Sequence, residues 1–302
     1  MIPAYGKVWN LGHKAIIDLF KDEVIIQEKI DGSQFSFGII EGELQCRSHH
    51  QSLQLDQPPK LFKEAIEYVV SIQDKLESGL TYRGEVLQKP KHNTLKYDRV
   101  PKHNIIIFDI DKGIENYFGY DWVEAHAFLL DLEIVPLLAI IKQNDLDAFK
   151  THHQQNLKEL LESESILGGT TIEGVVIKNY HRFGIDGHCL MGKYVSEKFK
   201  ELNKSNPDHS KRSFIEELTA KYTSEARWEK AVQHLKEQSL LSNEPKDIAL
   251  LLPEIDRDVM EECGEEIKEA LFQYWWREIK RGIAKGFPEW YKNKLAEKQF
   301  GG

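Results

Sequence analysis

Along the first two-thirds of the chain, short apolar runs alternate with turn residues. EVIIQEKI (23–30), SQFSFGII (33–40), ELQCRS (43–48), NIIIFDI (104–110), EIVPLLAII (133–141), IEGVVIKNY (172–180) and CLMGKYVS (189–196) are rich in β-branched or aromatic residues. Bounded by Gly, Asp or Pro, they predict strands. The Glu41-Gly42 pair between two of them predicts a hairpin. Helical spacing of apolar residues predicts helices from Leu61 to Gln73, Asp121 to Leu132 and Leu146 to Glu162. Helices set at irregular intervals among hairpins imply an α+β fold of mixed, largely antiparallel sheets with flanking helices. Past the polar stretch NKSNPDHSK (203–211) the strand pattern stops, and Phe214, Ile215, Leu218 and Tyr222, then Ile267, Leu271, Tyr274 and Trp275, recur at helical spacing. The expected organisation is an α+β domain over residues 1–204 and a small all-α domain over 205–302.

Composition narrows the class. A chain of 302 residues, 41% hydrophobic and 29% charged, can bury a sizeable core. It contains no run of 18 uncharged apolar residues, and its amino terminus lacks a signal-like apolar stretch, so a cytoplasmic protein with no membrane partner is expected. Cys46, Cys189 and Cys263 are odd in number and far apart, and read as free thiols rather than a disulfide framework or cysteine zinc site. The formal net charge of -9 argues against a protein that coats nucleic acid, and neither expected domain is basic overall.

Local charge modifies that inference. Lys89, Lys91, Lys96, Arg99 and Lys102 crowd residues 86–104 against Asp98 alone. Arg277, Lys280, Arg281, Lys285, Lys292, Lys294 and Lys298 lie beside Trp275, Trp276 and Trp290. Cations interleaved with aromatics can follow phosphates and stack bases; the plainer reading is an amphipathic helix pair with core tryptophans. The acidic residues from Glu254 to Glu269 read as the solvated face of a helix. The adjacent pairs His49-His50 and His152-His153 diverge on either a strand or a helix, which disfavours dedicated zinc binding.

The sharpest local chemistry is Glu28-Lys29-Ile30-Asp31-Gly32-Ser33, a lysine leaving an apolar strand into a turn. A lysine becomes a nucleophile only when its pKa is lowered, which partial burial and neighbouring cations accomplish. Gly32 lets the backbone turn tightly and approach a phosphate, and Asp31 is placed to accept from backbone amides or hold the lysine. The bland alternative is an exposed hairpin turn. Four further segments follow in a particular order: Cys46-Arg47-Ser48, Tyr82-Arg83-Gly84-Glu85, Ile107-Phe108-Asp109-Ile110 and Glu173-Gly174-Val175-Val176-Ile177-Lys178, and then Lys193-Tyr194-Val195-Ser196 closes the series.

This ordered series resembles the covalent nucleotidyltransferases, the superfamily of ATP-dependent DNA and RNA ligases and mRNA capping enzymes. EKIDGSQFSF, EGVVIK and GKYVSEKFKE are most similar to the RNA ligase branch, near the RNA ligase 2 group. The resemblance covers roughly residues 24–201. It implies an ATP-grasp-like nucleotidyltransferase domain and an ATP-dependent RNA ligase using Mg²⁺ or Mn²⁺. Such an enzyme joins RNA 5′-phosphate and 3′-hydroxyl ends through a lysyl-AMP intermediate and an adenylylated RNA end. The short segment before Lys29, and the lack of obvious barrel strands in the C-terminal region, favour RNA ligase over DNA ligases and capping enzymes, which normally carry an OB module.

The resemblance makes Lys29 the nucleophile and Glu173 a metal ligand, with a structural salt bridge as the alternative for Glu173. Lys178 and Lys193 are expected to hold phosphate and depress the pKa of Lys29, unless they are strand-end lysines in solvent. Glu85 is implied as a ribose contact, Phe108 as the aromatic against adenine, Glu28 as an adenine-side contact and Arg47 as a grip on the 5′-phosphate or adjoining backbone. Asp109 either supports the site or ties down the sheet. One departure stands out: these ligases carry two lysines one residue apart where this chain reads Met191-Gly192-Lys193, so that either Arg182 or Lys198 supplies the lost charge or one phosphate contact is absent. The alternatives are an RNA guanylyltransferase and a non-catalytic RNA-end-binding module.

Overall fold

The structure, a computed structural model, describes residues 1–196 and 214–300. The expected domain boundary at 203–211 and Lys198 lie outside the described residues. One sheet has five strands in the order β1 (Trp9–Asn10), β11 (Cys189–Val195), β10 (Gly174–Phe183), β2 (Val24–Lys29) and β9 (Leu137–Ile141). A second has six, in the order β5 (Ser52–Leu53), β4 (Glu43–Ser48), β3 (Ser33–Ile40), β6 (Thr81–Val86), β7 (Ile105–Asp111) and β8 (Glu133–Ile134). Among the strand pairs of the described residues only β1 with β11 and β7 with β8 run parallel, so the sheets are mixed and largely antiparallel, as the pattern predicts. The β3–β4 hairpin turns at Glu41 (φ 55°) and Gly42 (φ 84°), the left-handed pair that a two-residue turn requires.

Two differences have physical causes. EIVPLLAII is not one strand: Pro136 cannot donate to a ladder, and the segment breaks there, giving β8 to the six-stranded sheet and β9 to the five-stranded one. The Pro136 carbonyl instead accepts from the Glu28 amide at 3.3 Å. TYRGEV forms β6, a strand the pattern did not predict because Arg83, Gly84 and Glu85 interrupt its apolar positions.

Each sheet buries one face. α1 (Lys63–Ser71) and α2 (Tyr120–Leu129) cover the six-stranded sheet through Ile66, Val69, Val123 and Ala127, against Phe35, Phe37, Tyr82 and Ile107. α3 (Leu146–Leu160) covers the five-stranded sheet through Leu146, Phe149 and Leu157, against Val24, Ile26, Val175 and Ile177. Directly paired residues on antiparallel strands share a face and alternate along it. The other face of the five-stranded sheet therefore carries Lys29 in register with Gly174, Val176 in register with Gln27 and Lys193, and Lys178 in register with Met191. The alternation that builds the core thus places three lysines on the opposite face.

The C-terminal segment is helical among its described residues: α4 (Phe214–Tyr222), α5 (Glu225–Glu237), α6 (Ile248–Ala284) and α7 (Phe287–Phe300). α5 and α6 are joined by complementary charge. His234 Nδ1 meets Glu254 Oε1 at 2.8 Å, Lys230 meets Asp258 at 2.7 Å, and Arg227 also donates to Asp258. Glu254 and Asp258 are buried, so the acidic stretch from 254 is not simply a solvated face; its stripe at four-residue spacing turns inward to meet cations. Trp275, Trp276 and Trp290, read as core residues in the plainer alternative, are 54%, 42% and 55% exposed. No helix of the described residues is long and apolar enough to cross a membrane. All three cysteines are free and buried.

Candidate active site

Lys29 ends β2, and the chain passes through Ile30-Asp31-Gly32 straight into β3 of the other sheet. The lysine therefore stands where the two sheets meet. The turn is pinned from outside: the Asp31 carboxylate accepts from the amides of Thr94 (2.8 Å) and Leu95 (2.7 Å), the Asp31 amide donates to Tyr97 Oη (2.9 Å), and Asn93 donates to the Gly32 carbonyl (3.0 Å). A Cβ on Gly32 would lie 2.9 Å from Glu85 Cβ, so this glycine lets the turn press against Glu85.

Lys29 Nζ donates to Glu173 Oε2 at 2.6 Å. Burial alone would lower the lysine pKa, but Glu173, Asp31 and Glu85 outweigh it and hold the ammonium above the ordinary lysine value. This corrects the expectation of a depressed pKa: the charges nearest the amine are carboxylates, not cations. Burial in turn pushes the Glu173 carboxyl up. It pushes Glu85 up to about 8, with Glu237, Asp31 and Glu173 adding to the effect and Lys29 opposing it.

A cavity of about 470 Å³ opens around Lys29, Glu85, Glu173 and Lys193, and an adjoining one of about 380 Å³ extends to Glu28, Phe108 and Lys178. Both are in the size range of small-molecule sites. Lys178 is buried; its ammonium meets Asp109 at 2.9 Å and the Phe108 carbonyl at 3.3 Å, and lies 4.9 Å from the centre of the Phe108 ring. Asp109 also accepts from the hydroxyls of Tyr5 and Tyr180. Its carboxylate thus anchors Lys178 beneath the aromatic wall. Lys193 Nζ is 2.9 Å and 3.0 Å from the two oxygens of Glu262 on α6. The Glu28 carboxylate lines the second cavity but is tied to Ser165 Oγ (2.5 Å) and the Ile166 amide (3.1 Å).

Arg47 stands on β4, outside both cavities. Its Nη2 donates to the His49 carbonyl at 3.4 Å, and its buried Nε has no protein partner among the described residues. Arg182 does not supply the charge missing at Met191: it holds Asp22 at 2.6 Å and lies outside both cavities. Met191, fully buried, lies directly across from Lys178. In the loop after β6, Arg99 and Lys102 are bound to Glu133 and Asp131, while Lys89, Lys91 and Lys96 are exposed.

Sequence reasoning missed the contribution of the C-terminal helices. Ser33 Oγ donates to Glu237 on α5 and accepts from Gln233 Nε2 at 2.7 Å. Lys230 and His234 of α5, with Glu262 of α6, line both cavities. The signal lay in two stripes, Arg227, Lys230 and His234 against Glu254, Asp258 and Glu262, whose opposite charges at helical spacing match one another.

Residues 22–195, more than half of the chain and all of the site's strand-borne residues, match the family model described as RNA ligase. The chain belongs to the RNA ligase family. It is thereby a member of a family of enzymes. No curated protein matches its sequence. Among solved structures it is similar to the Naegleria gruberi RNA ligase with PPi, at 13% identity over 65% of this chain and 57% of that one, TM-score 0.48. A variant of that ligase with ATP and Mn gives 14% identity, 66% and 57% coverage and a TM-score of 0.49, and one with AMP and Mn gives 14%, 65%, 57% and 0.45. The chain spans 57% of the length of those structures.

No group of three or more His, Cys, Asp or Glu side chains among the described residues is arranged to hold a metal alone. Mg²⁺ characteristically takes one or two carboxylates and completes its octahedron with phosphate oxygens and water, and Glu173 beside Lys29 offers such a carboxylate.

Glu85 yields a prediction that separates function from stability. Its folded pKa, about 8, lies above the ordinary carboxyl value, so the folded state binds the extra proton. The associated stability is present below the unfolded pKa and is lost as pH rises towards 8. Glu85→Gln should match the wild type in urea-unfolding free energy near pH 4 and exceed it near pH 8, by about 2 kcal/mol or more. A gap that does not grow with pH would show that the carboxyl is not held protonated.

Proposed function

We propose that the protein is an ATP-dependent RNA ligase, near the RNA ligase 2 group, that seals 5′-phosphate and 3′-hydroxyl RNA ends. In this reading residues 1–204 are an ATP-grasp-like nucleotidyltransferase domain, 205–302 a helical domain, and the protein is cytoplasmic. The observation that carries the reading is Lys29, standing between two sheets in a cavity it shares with Glu85 and Lys193, with Glu173 at 2.6 Å, within the segment that matches the family.

Lys29 Nζ, once it has shed a proton, attacks the α-phosphorus of ATP; a P–N bond forms, the bond to the bridging oxygen breaks, and pyrophosphate leaves. Glu173 Oε2, which already accepts a hydrogen bond from the ammonium, is the nearest base for that proton. The RNA 5′-phosphate then takes AMP from Lys29, and the 3′-hydroxyl displaces AMP to form the phosphodiester. Phe108 offers its face to adenine, Glu85 a hydroxyl contact to ribose, Glu28 an edge contact to adenine, and Arg47 its guanidinium to the RNA phosphate. Lys178 and Lys193 bind phosphate oxygens. Glu173 would hold Mg²⁺ or Mn²⁺, which supplies neutralisation of phosphate charge.

The test is joining of a nicked duplex assembled with RNA, DNA or hybrid ends, with ATP or GTP. Sealing of a 5′-phosphorylated RNA nick with ATP is expected. Labelling by GTP alone would favour an RNA guanylyltransferase, and RNA binding without nucleotide transfer an end-binding module.

A further inference from the structure

A single carboxylate on the C-terminal segment bridges two lysines at the cavity. Glu262 of α6 presents both oxygens to Lys193 of β11 at 2.9 Å and 3.0 Å, and one of them lies 3.3 Å from Lys230 of α5. All three side chains are largely buried and line the same two cavities as Lys29. Burial would raise the Glu262 carboxyl, but the two lysines outweigh it and hold it well below the usual carboxylate range. Two ammonium groups converging on one anion in a cavity mark an anion site, and the occupant here is part of the chain itself.

We propose that Lys193 and Lys230 form a phosphate clamp for the triphosphate of the nucleotide, and that Glu262 fills the clamp until the nucleotide displaces it; the inference rests on the nucleotide reading above. Lys230 has a separate anchor, Asp258 at 2.7 Å, that keeps it in place when Glu262 departs. A fully ionised phosphate chain offers several oxygens where Glu262 offers two, and it repels that carboxylate. The clamp joins the strand-borne half of the chain to the helical half. The intramolecular carboxylate taxes nucleotide affinity, because only the fraction with an open clamp binds.

Calorimetric titration of the full chain with inorganic tripolyphosphate tests the clamp, with lysine labelling by ATP measured in parallel. Glu262→Gln should bind tripolyphosphate about tenfold more tightly than the wild type, and Lys230→Met about tenfold more weakly, each change being the size of one charge-assisted contact. Lys230→Arg should stay within about threefold of the wild type, since it keeps the charge. If Lys230→Met does not fold, the Glu262→Gln and Lys230→Arg titrations decide. A purely structural Glu262–lysine bridge predicts the opposite sign: Glu262→Gln would bind no tighter, and that result overturns the clamp. Tripolyphosphate affinities that move as expected while ATP leaves no label on Lys29 would sink the ligase reading and leave the clamp standing. ATP labelling with affinities indifferent to Glu262 and Lys230 would do the reverse.

Discussion

Lys29→Ala should abolish covalent labelling by ATP, with a loss of about four orders of magnitude or more, the scale seen when a covalent nucleophile is removed. Lys29→Arg should be as inactive. The guanidinium restores the positive partner that Glu173 holds at 2.6 Å, yet it does not lose its proton and so has no lone pair to offer. The arginine variant therefore separates chemistry from folding: it should keep the wild-type urea midpoint while losing the label. In the alanine variant Glu173 loses the ammonium that opposes the raising effect of its burial, and the midpoint should fall as pH rises. Gel autoradiography with α-labelled ATP measures the label. Equal labelling of the wild type and either variant would remove Lys29 from the mechanism.

The second large effect concerns stability. Arg83 on β6 is 2% exposed and its partner Asp111 on β7 is 1% exposed; Nε donates to the Asp111 carboxylate at 2.7 Å. Nη1 also donates to the Pro3 carbonyl at 2.8 Å and to Ser36 Oγ at 3.2 Å. One guanidinium thus ties two strands of the six-stranded sheet to a third and to the N-terminal segment that carries Tyr5. Burial already pushes the Asp111 carboxyl up to about 6, with Arg83 opposing the shift. Arg83→Met strands that carboxylate and should cost about 3–5 kcal/mol near pH 8. Asp111 then binds its proton more tightly in the folded state than in the unfolded chain, so the cost should shrink as pH falls to 5. Urea unfolding at the two pH values measures both numbers. Arg83→Met combined with Asp111→Leu should recover most of the loss, since an apolar pair replaces an ion pair at little cost. A cost that is unchanged between pH 5 and pH 8 would mean that packing, not the stranded charge, sets it.

Strands β2, β3, β4, β7, β10 and β11 were legible in the sequence because each is a run of apolar or alternating residues, and the residues that close one face open the other to Lys29, Lys178 and Lys193. β6 was hidden because its middle is Arg83-Gly84-Glu85. Gly84 is there because a Cβ would lie 2.6 Å from the Ile106 carbonyl, and Arg83 because Asp111 receives it, facts of pairing that no local propensity contains. The break at Pro136 was legible in the sequence, since proline cannot donate to a ladder. The proton on Lys29 was not legible: the motif shows a lysine with cations to come, whereas the cavity surrounds it with carboxylates from β6, from the residue before β10 and from the turn itself. Glu262 was not legible for a different reason. An acidic stripe on a helix fits solvent as well as it fits cations, and its partner Lys193 is 69 residues away, beyond any periodic pattern.

The most direct test of the account is a single turnover. The protein is incubated with ATP and Mg²⁺, freed of nucleotide, and given an RNA nick with a 5′-phosphate and a 3′-hydroxyl in the absence of ATP. Peptide mass analysis should find one adenylyl group on Lys29 before the RNA is added, and the RNA should then be sealed in an amount matching the adduct, with free AMP released. An adduct on another residue, or an adenylylated Lys29 that keeps its AMP in the presence of the RNA end, would contradict it.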